Sequence, residues 1–143
     1  MDALHSLSVW NRACGLAIQT YSVTHRCDDV VIHERITSAS LALAAQIAAG
    51  YERSSRRQFA HCLERARSSC AELRTQLYLA AQLDLISMQR STELMQESLE
   101  ISQQLHSLIQ WCEAQPEAAV RHTVPSDDSA NMICNSSFMR SPI

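Results

Sequence analysis

The clearest pattern of apolar positions along the chain lies between Phe59 and Ala80. Apolar residues recur there at alternating spacings of four and three: Phe59, Leu63, Ala66, Cys70, Leu73, Leu77 and Ala80. This spacing puts them on one face of a helix and is typical of the seam of a helical bundle or coiled coil. Ser54 or Ser55 can cap such a helix, and helicity to Asp84 would make it about 45 Å long.

Three further segments show a helical period, with these predicted bounds: Ser6 or Ser8 to His25, Val30 to Tyr51, and a Ser87 cap to Gln115. Their apolar stripes are, in chain order, Trp10, Cys14, Ala17 and Tyr21; Ile32, Ile36, Ala39, Leu43 and Ile47; and Leu94, Ile101, Leu105, Leu108 and Cys112. We expect Gly50 to end the second helix in the left-handed conformation that glycine adopts without strain. Because long helices joined by a few residues must pack antiparallel, residues 1–115 predict an all-α, up-and-down four-helix bundle.

The composition agrees with a nearly all-helical chain. Only two of the 143 residues are glycine and three are proline, and the prolines all follow residue 115. A β-sandwich or barrel needs frequent turn residues, so this composition excludes both. Residues 116–143 contain the prolines, are rich in Ser and Asn, and show no apolar period, which predicts a flexible C-terminal tail.

All 12 basic residues are arginine, and they are set against 15 acidic residues for a formal net charge of −3. This balance argues against a general basic field that would drive nonspecific nucleic-acid binding. The sequence starts without a basic region followed by an apolar stretch, and it contains no apolar run of about 18 residues. We therefore expect a cytoplasmic protein with no membrane partner, whose six cysteines are reduced.

The sequence contains none of the common catalytic or cofactor-binding motifs. It lacks Cys-x-x-Cys, His-Glu-x-x-His and a glycine-rich phosphate loop. His25, Cys27 and His33 come nearest to a metal-ligand cluster, but zinc needs four ligands in a closed geometry and a fourth is not evident here. We therefore predict a protein that is not an enzyme and that holds no metal, cofactor or small-molecule substrate.

Residues 50–74 carry six arginines against three glutamates: Arg53, Arg56, Arg57, Arg65, Arg67 and Arg74. At 100° per residue, Arg56, Arg67 and Arg74 superpose on one flank of the apolar seam. One interpretation is a surface that binds nucleic-acid phosphates, for which all six arginines are candidates. The other is pairing, within the chain or between subunits, with a stripe of acids on the fourth helix: Glu93, Glu97 and Glu100.

The second helix is apolar on more than one face. Four of its residues lie outside the main apolar stripe: Leu41, Ala44, Ala45 and Ala48. A helix that is apolar nearly all round needs burial nearly all round, which a single four-helix bundle does not provide. We therefore take these residues as a candidate interface between copies of the chain; the alternative is that the alanines only reflect high helix propensity.

Three segments of the sequence resemble one known family. Residues 7–24, with Leu7, Val9, Trp10, Tyr21 and Thr24 among them, resemble its opening motif L-x-V-W-x-x-A-x-x-L … Y-x-x-T. Residues 47–55 (IAAGYERSS) resemble I-A-E-G-x-x-R-x-S, and residues 59–77 resemble the family's E-F-x-x-F-L-x-x-A-x-G-S-x-x-E-L-x-T-Q-L. The family is that of the four-helix-bundle proteins first noticed in ribosomal-RNA intervening sequences, and the resemblance covers about residues 4–112.

The resemblance implies a bundle without enzymatic activity that assembles as a ring-shaped homopentamer. The family is similar in fold to the accessory variability determinant of diversity-generating retroelements, which binds a reverse transcriptase and contacts nucleic acid through a basic surface. The chain departs from the family pattern where Thr37 and Ser38 replace arginines and where Ala49 replaces glutamate. We therefore predict a homo-oligomeric bundle that acts through protein–protein contacts, with a nucleic-acid-binding accessory of a retroelement reverse transcriptase as the alternative.

Overall fold

The computed structural model of the protein describes residues 2–114, which form five helices and no strand. The helices are α1 (Asp2–His5), α2 (Ser8–Thr24), α3 (Val30–Tyr51), α4 (Arg56–Gln82) and α5 (Met88–Ala114). The all-α class and the four long helices confirm the prediction, and the single turn of α1 is an addition to it. The tail predicted for residues 116–143, and the domain boundary before it, lie outside the described residues.

Side-chain oxygens just outside the helices cap three of the first turns. The pairs are Asp29 Oδ1 with Ile32 N (3.0 Å), Ser55 Oγ with Gln58 N (3.4 Å) and Ser87 Oγ with Arg90 N (3.2 Å). In each pair the oxygen accepts a hydrogen bond from a backbone N–H that the helix itself leaves without a partner. The predicted caps at Ser55 and Ser87 are therefore confirmed.

Gly50 serves a different purpose from the predicted one. It lies inside α3, and no glycine of the described chain has a positive φ. A Cβ at this position would lie 2.8 Å from Cys62 Cβ and 2.9 Å from Phe59 Cδ2. Gly50 is thus required because α3 and α4 approach closely here, and the prediction of a left-handed helix end is wrong. The residue that does adopt the left-handed conformation is Asp84, with φ of 57°, after the end of α4.

The four long helices contact one another in a closed cycle, in which α2 and α4 each touch both α3 and α5. Two serines of α5 donate hydrogen bonds across to carbonyl oxygens of α4. They join Ser91 Oγ to Leu77 O (2.9 Å) and Ser98 Oγ to Cys70 O (3.2 Å), which shows that these helices run antiparallel. The cycle of contacts is compatible with the predicted four-helix bundle.

The predicted seam of α4 forms the centre of the core, because all seven of its residues from Phe59 to Ala80 are fully buried. The face that α2 buries differs from the predicted one, since Trp10 and Cys14 are half-buried and Tyr21 is 53% exposed. The residues that α2 buries are Val9, Ala13, Leu16, Ala17, Thr20 and Thr24. The apolar pattern missed this face because two of its members are threonines; the Thr24 hydroxyl donates to the Thr20 carbonyl oxygen at 2.9 Å.

The antiparallel order gives the bundle two distinct ends. The connection from α3 to α4 and the last turn of α5 lie together at one end, where Arg56 and Trp111 are in contact. The connections from α2 to α3 and from α4 to α5 lie at the other. We refer to these as the α3–α4 end and the α4–α5 end.

Candidate functional site

Two of the candidate arginines are held between α4 and α5. Arg56 is only 6% exposed, and its guanidinium carbon lies 4.9 Å from the centroid of the Trp111 ring, a cation–π contact. Arg74 is half-buried, and its Nη1 lies 3.4 Å from both the carbonyl oxygen and the Oγ of Ser98. These two side chains therefore contribute to the contact between the helices and present little charge to solvent.

Arg67 lies on the same flank of α4. Its Nη1 is 3.4 Å from Glu64 Oε1 and 3.4 Å from Nδ1 of His106 on α5. Arg56, Arg67 and Arg74 therefore lie on one flank of α4, as predicted from the rotation of 100° per residue. This flank faces a neighbouring helix, however, so Arg56, Arg67 and Arg74 do not form an open row of charges.

The glutamates of α5 have other partners within the chain. Arg12 of α2 donates from Nε and Nη2 to the two carboxylate oxygens of Glu97 (2.8 and 2.7 Å) and from Nη2 to Glu100 (2.7 Å). These bonds raise the pKa of Arg12, through Glu97 first, and lower the pKa of Glu100. Glu93 pairs with Arg90 on its own helix. Within one chain, the alternative that these glutamates pair with the arginines of α4 is therefore wrong.

The three remaining candidates form an exposed basic cluster at the α3–α4 end. Arg53, Arg57, His61 and Arg65 follow one another at intervals of four residues, and all four are exposed. They line an open cleft of about 670 Å³ together with Ser55, Gln58 and Cys62. None of the three arginines has an ion-pair partner within residues 2–114. We call Arg53, Arg57, His61 and Arg65 the basic cluster.

A second surface lies on the outer faces of α2 and α3. Residues 13–24 and 36–51 contain no charged residue, so this surface is uncharged over most of its length. It exposes large apolar side chains, with Ile18 at 68%, Tyr21 at 53% and Leu41 at 58%. We call it the α2–α3 face.

The predicted interface residues all lie on α3 and take two environments. Leu41 and Ala45 are exposed on the α2–α3 face, whereas Ala44 and Ala48 are half-buried and pack against the core. The exposed apolar side chains of α2, Ile18 and Tyr21, are not among the predicted interface residues. The absence of charge between residues 13 and 24 is the sequence signal that could have revealed them.

The histidines near the connection of α2 to α3 surround Tyr21. His25 Nδ1 lies 2.8 Å from the Ser22 carbonyl oxygen, and His33 Nδ1 lies 3.0 Å from Thr24 Oγ1. Both imidazole rings also contact the Tyr21 ring, with centroids 6.0 and 5.5 Å away. Residues 2–114 contain no group of three side chains placed to hold a metal ion.

The thiols in the described part of the chain are all free, namely Cys14, Cys27, Cys62, Cys70 and Cys112. Burial raises the pKa of Cys14 and Cys70, and it raises that of Cys112 to about 11. These three side chains are therefore protonated at neutral pH. Because the thiolate is the nucleophile, they are poorly suited to nucleophilic attack.

A sequence profile of the family described as "23S rRNA-intervening sequence protein" matches residues 5–107, which include both surfaces. The chain belongs to this family. Membership confirms the resemblance drawn from the motifs in α2, α3 and α4. No curated protein matches the chain significantly. No helix in residues 2–114 combines the length and apolar character needed to cross a bilayer.

A solved structure has a fold similar to that of this chain. It is a protein of unknown function from the S23 ribosomal protein family of Bacteroides thetaiotaomicron, with a TM-score of 0.66 and 21% sequence identity. The similarity covers 71% of the chain and 97% of that protein. At this identity the comparison shows a shared fold, and the functions of both proteins have to be argued from their surfaces.

Proposed function

We propose that the protein is a homo-oligomeric helical bundle that acts through contacts with other proteins rather than by catalysis. The observation that carries this proposal is the α2–α3 face. Ile18 and Leu41 are more than half exposed there, and no charged residue of segments 13–24 and 36–51 interrupts the surface. Large apolar side chains exposed on an uncharged surface are typical of protein interfaces. The cytoplasm is the proposed setting, since it would keep the free thiols reduced.

The family resemblance further supports a ring of five copies. A closed ring needs two different complementary patches on each subunit, because each copy contacts its neighbours through unlike surfaces. The α2–α3 face supplies the first patch. The last turns of α4 supply a second, where Tyr78, Leu79 and Leu83 are 51%, 47% and 61% exposed. We propose that these two patches meet between neighbouring subunits.

Light scattering after size-exclusion chromatography tests this assembly, with a mass near five chains expected. A glutamate introduced by Ala45→Glu would lie in the interface and, once buried, would lack a partner charge, so this variant should lose the oligomer. Ala71→Glu is the matched control. Ala71 is also an exposed alanine in a helix, but it lies on α4, outside both patches. A monomeric wild-type protein, or an unchanged oligomer in the Ala45→Glu variant, would contradict the proposal.

The basic cluster favours a second candidate function, the binding of nucleic acid as an accessory of a retroelement reverse transcriptase. Arg53, Arg57 and Arg65 are exposed beside one another, without ion pairs in residues 2–114 that would neutralise them. Arg57 and Arg65 are about 12 Å apart along α4, and Arg53 lines the same cleft, so one phosphate backbone can reach all three. A ring would repeat the cluster once per subunit, and multivalency would raise a modest affinity.

A salt titration of RNA and DNA binding separates the two candidates. If the cluster binds phosphates, affinity should fall steeply with salt, and replacing Arg53, Arg57 and Arg65 with glutamine should abolish binding while the oligomer persists. Replacing Arg26 and Arg35 with glutamine is the control, because both are exposed at the α4–α5 end. Absence of binding at low salt would remove this candidate and leave protein–protein contacts as the proposed role.

A further inference from the structure

A second cleft lies between the start of α4 and the end of α5. Its volume is about 450 Å³, and its lining includes Arg57 and His61 of the basic cluster with Cys112 and Glu113 of the last turn of α5. The described part of α5 extends to Ala114, one residue after Glu113. Residues 115–143 therefore begin at the edge of the basic cluster.

Positive charge is in excess at this end of the bundle within the described residues, where Arg53, Arg56, Arg57, Arg65 and Arg67 lie with Glu52, Glu64 and Glu113. The exposed arginines of the basic cluster have no ion pair there, and Glu64, the acid within the same turns of α4, is paired with Arg67. The first turn of α4 adds the positive end of its helix dipole. The arrangement therefore favours an anionic partner that can reach all of these groups.

The chain itself carries a segment of complementary charge within reach. Asp127 and Asp128 are the adjacent pair of acids in residues 115–143, and serines flank them as Ser126 and Ser129. Asp127 follows Ala114 by 13 residues. Thirteen residues span at most about 45 Å when fully extended. The cluster from Arg57 to Arg65 extends only about 12 Å along α4.

We propose that Asp127 and Asp128 bind the basic cluster of their own chain. The connecting residues hold these acids at a local concentration of about millimolar, so weak ion pairs suffice for substantial occupancy. The contact would place the C-terminal segment in competition with any external polyanion. It goes beyond the proposed function and requires neither oligomer formation nor nucleic-acid binding.

The absence of lysine from the sequence allows a direct test in the full-length protein. Arg57→Lys keeps the positive charge and introduces a side-chain amine, which a carbodiimide can join to a carboxylate in direct contact. Trypsin then releases residues 57–65 and residues 122–140, and Asp127 and Asp128 are the only acids of the second peptide. We expect mass spectrometry to detect these two peptides joined, with a yield that falls at least tenfold in about 0.5 M salt.

Arg35→Lys is the matched control, because it places an exposed amine at the α4–α5 end. Two results would overturn the proposal. One is an equal yield of the 122–140 cross-link from Arg35→Lys and Arg57→Lys, and the other is the absence of this product from Arg57→Lys.

Oligomers assembled from equal amounts of ¹⁴N and ¹⁵N chains identify the source of the acids. We expect both joined peptides to carry the same label, and a statistical mixture of labels would overturn a contact within one chain.

Discussion

The two glycines of the chain are expected to respond in opposite ways to the same substitution. Gly15 lies within α2 and Gly50 within α3, so Gly→Ala removes a residue of low helix propensity from a helix in both cases. Nothing lies within 4 Å of a Cβ built at Gly15, whereas a Cβ at Gly50 would lie 2.8 Å from Cys62 Cβ. The pair thus separates helix propensity from close packing of helices.

The magnitudes follow from these distances. At either site, alanine improves the free energy of unfolding by about 0.5–1 kcal/mol through backbone propensity alone. At Gly50 the new methyl group must also displace Cys62 Cβ or the ring of Phe59, which is fully buried. Overpacking of this kind costs about 1–3 kcal/mol. We therefore expect Gly15→Ala to stabilise the protein by about 0.5–1 kcal/mol and Gly50→Ala to destabilise it by about 1 kcal/mol.

Urea unfolding followed by circular dichroism measures both effects, with the protein concentration held constant because self-association would shift the midpoints. Thermal unfolding should show midpoints that differ by several degrees between the variants, since about 1 kcal/mol shifts Tm by roughly 4 °C in a domain of this size. Equal stabilisation by Gly50→Ala and Gly15→Ala would refute the close approach of α3 and α4 at Gly50. A destabilising Gly15→Ala would refute the open space at Gly15.

Two further predictions concern ionisable groups. The hydrogen bond from Arg12 lowers the pKa of Glu100, so this carboxylate stabilises the fold above the ordinary glutamate pKa and ceases to do so as the pH falls through the lowered value. Glu100→Gln should therefore flatten the acid limb of a stability–pH curve obtained from urea midpoints, and an unchanged limb would contradict the contact. Cys112 is buried and has a pKa of about 11, so iodoacetamide at about pH 8 should label it only after unfolding. Mass spectrometry of native protein would show rapid labelling if Cys112 were accessible.

The apolar period of α4 and α5 was sufficient to predict their buried faces. Phe59, Leu73 and Leu105 are large apolar residues repeated at helical spacing, and each is fully buried. In α2 the same reasoning placed Tyr21 on the buried face. Threonines are polar, so the buried Thr20 and Thr24 do not contribute to an apolar period. The helix instead buries Thr20 and Thr24, and the Thr24 hydroxyl donates to the Thr20 carbonyl oxygen, an arrangement that depends on how closely the neighbouring helices pack.

The candidate surfaces show the same division. Leu41 and Ala45 could be selected as interface candidates because the sequence itself shows that their helix is apolar on more than one face. The partners of the arginines could not be identified from the sequence, because Arg12 and its partner Glu97 are 85 positions apart in the chain. Charge counting placed Arg56 and Arg57 in one group, yet one is buried against Trp111 and the other is exposed in the basic cluster.

Local sequence specifies the helices of this protein, because helix period, capping residues and the scarcity of glycine and proline act over a few neighbouring residues. The family could also be identified locally, through motifs within single helices. The rotation of each helix, the arginines that remain exposed and the need for glycine at position 50 follow from the packing of the helices against one another. Those outcomes depend on distances between α2, α3, α4 and α5, which are set by packing among residues far apart in the chain.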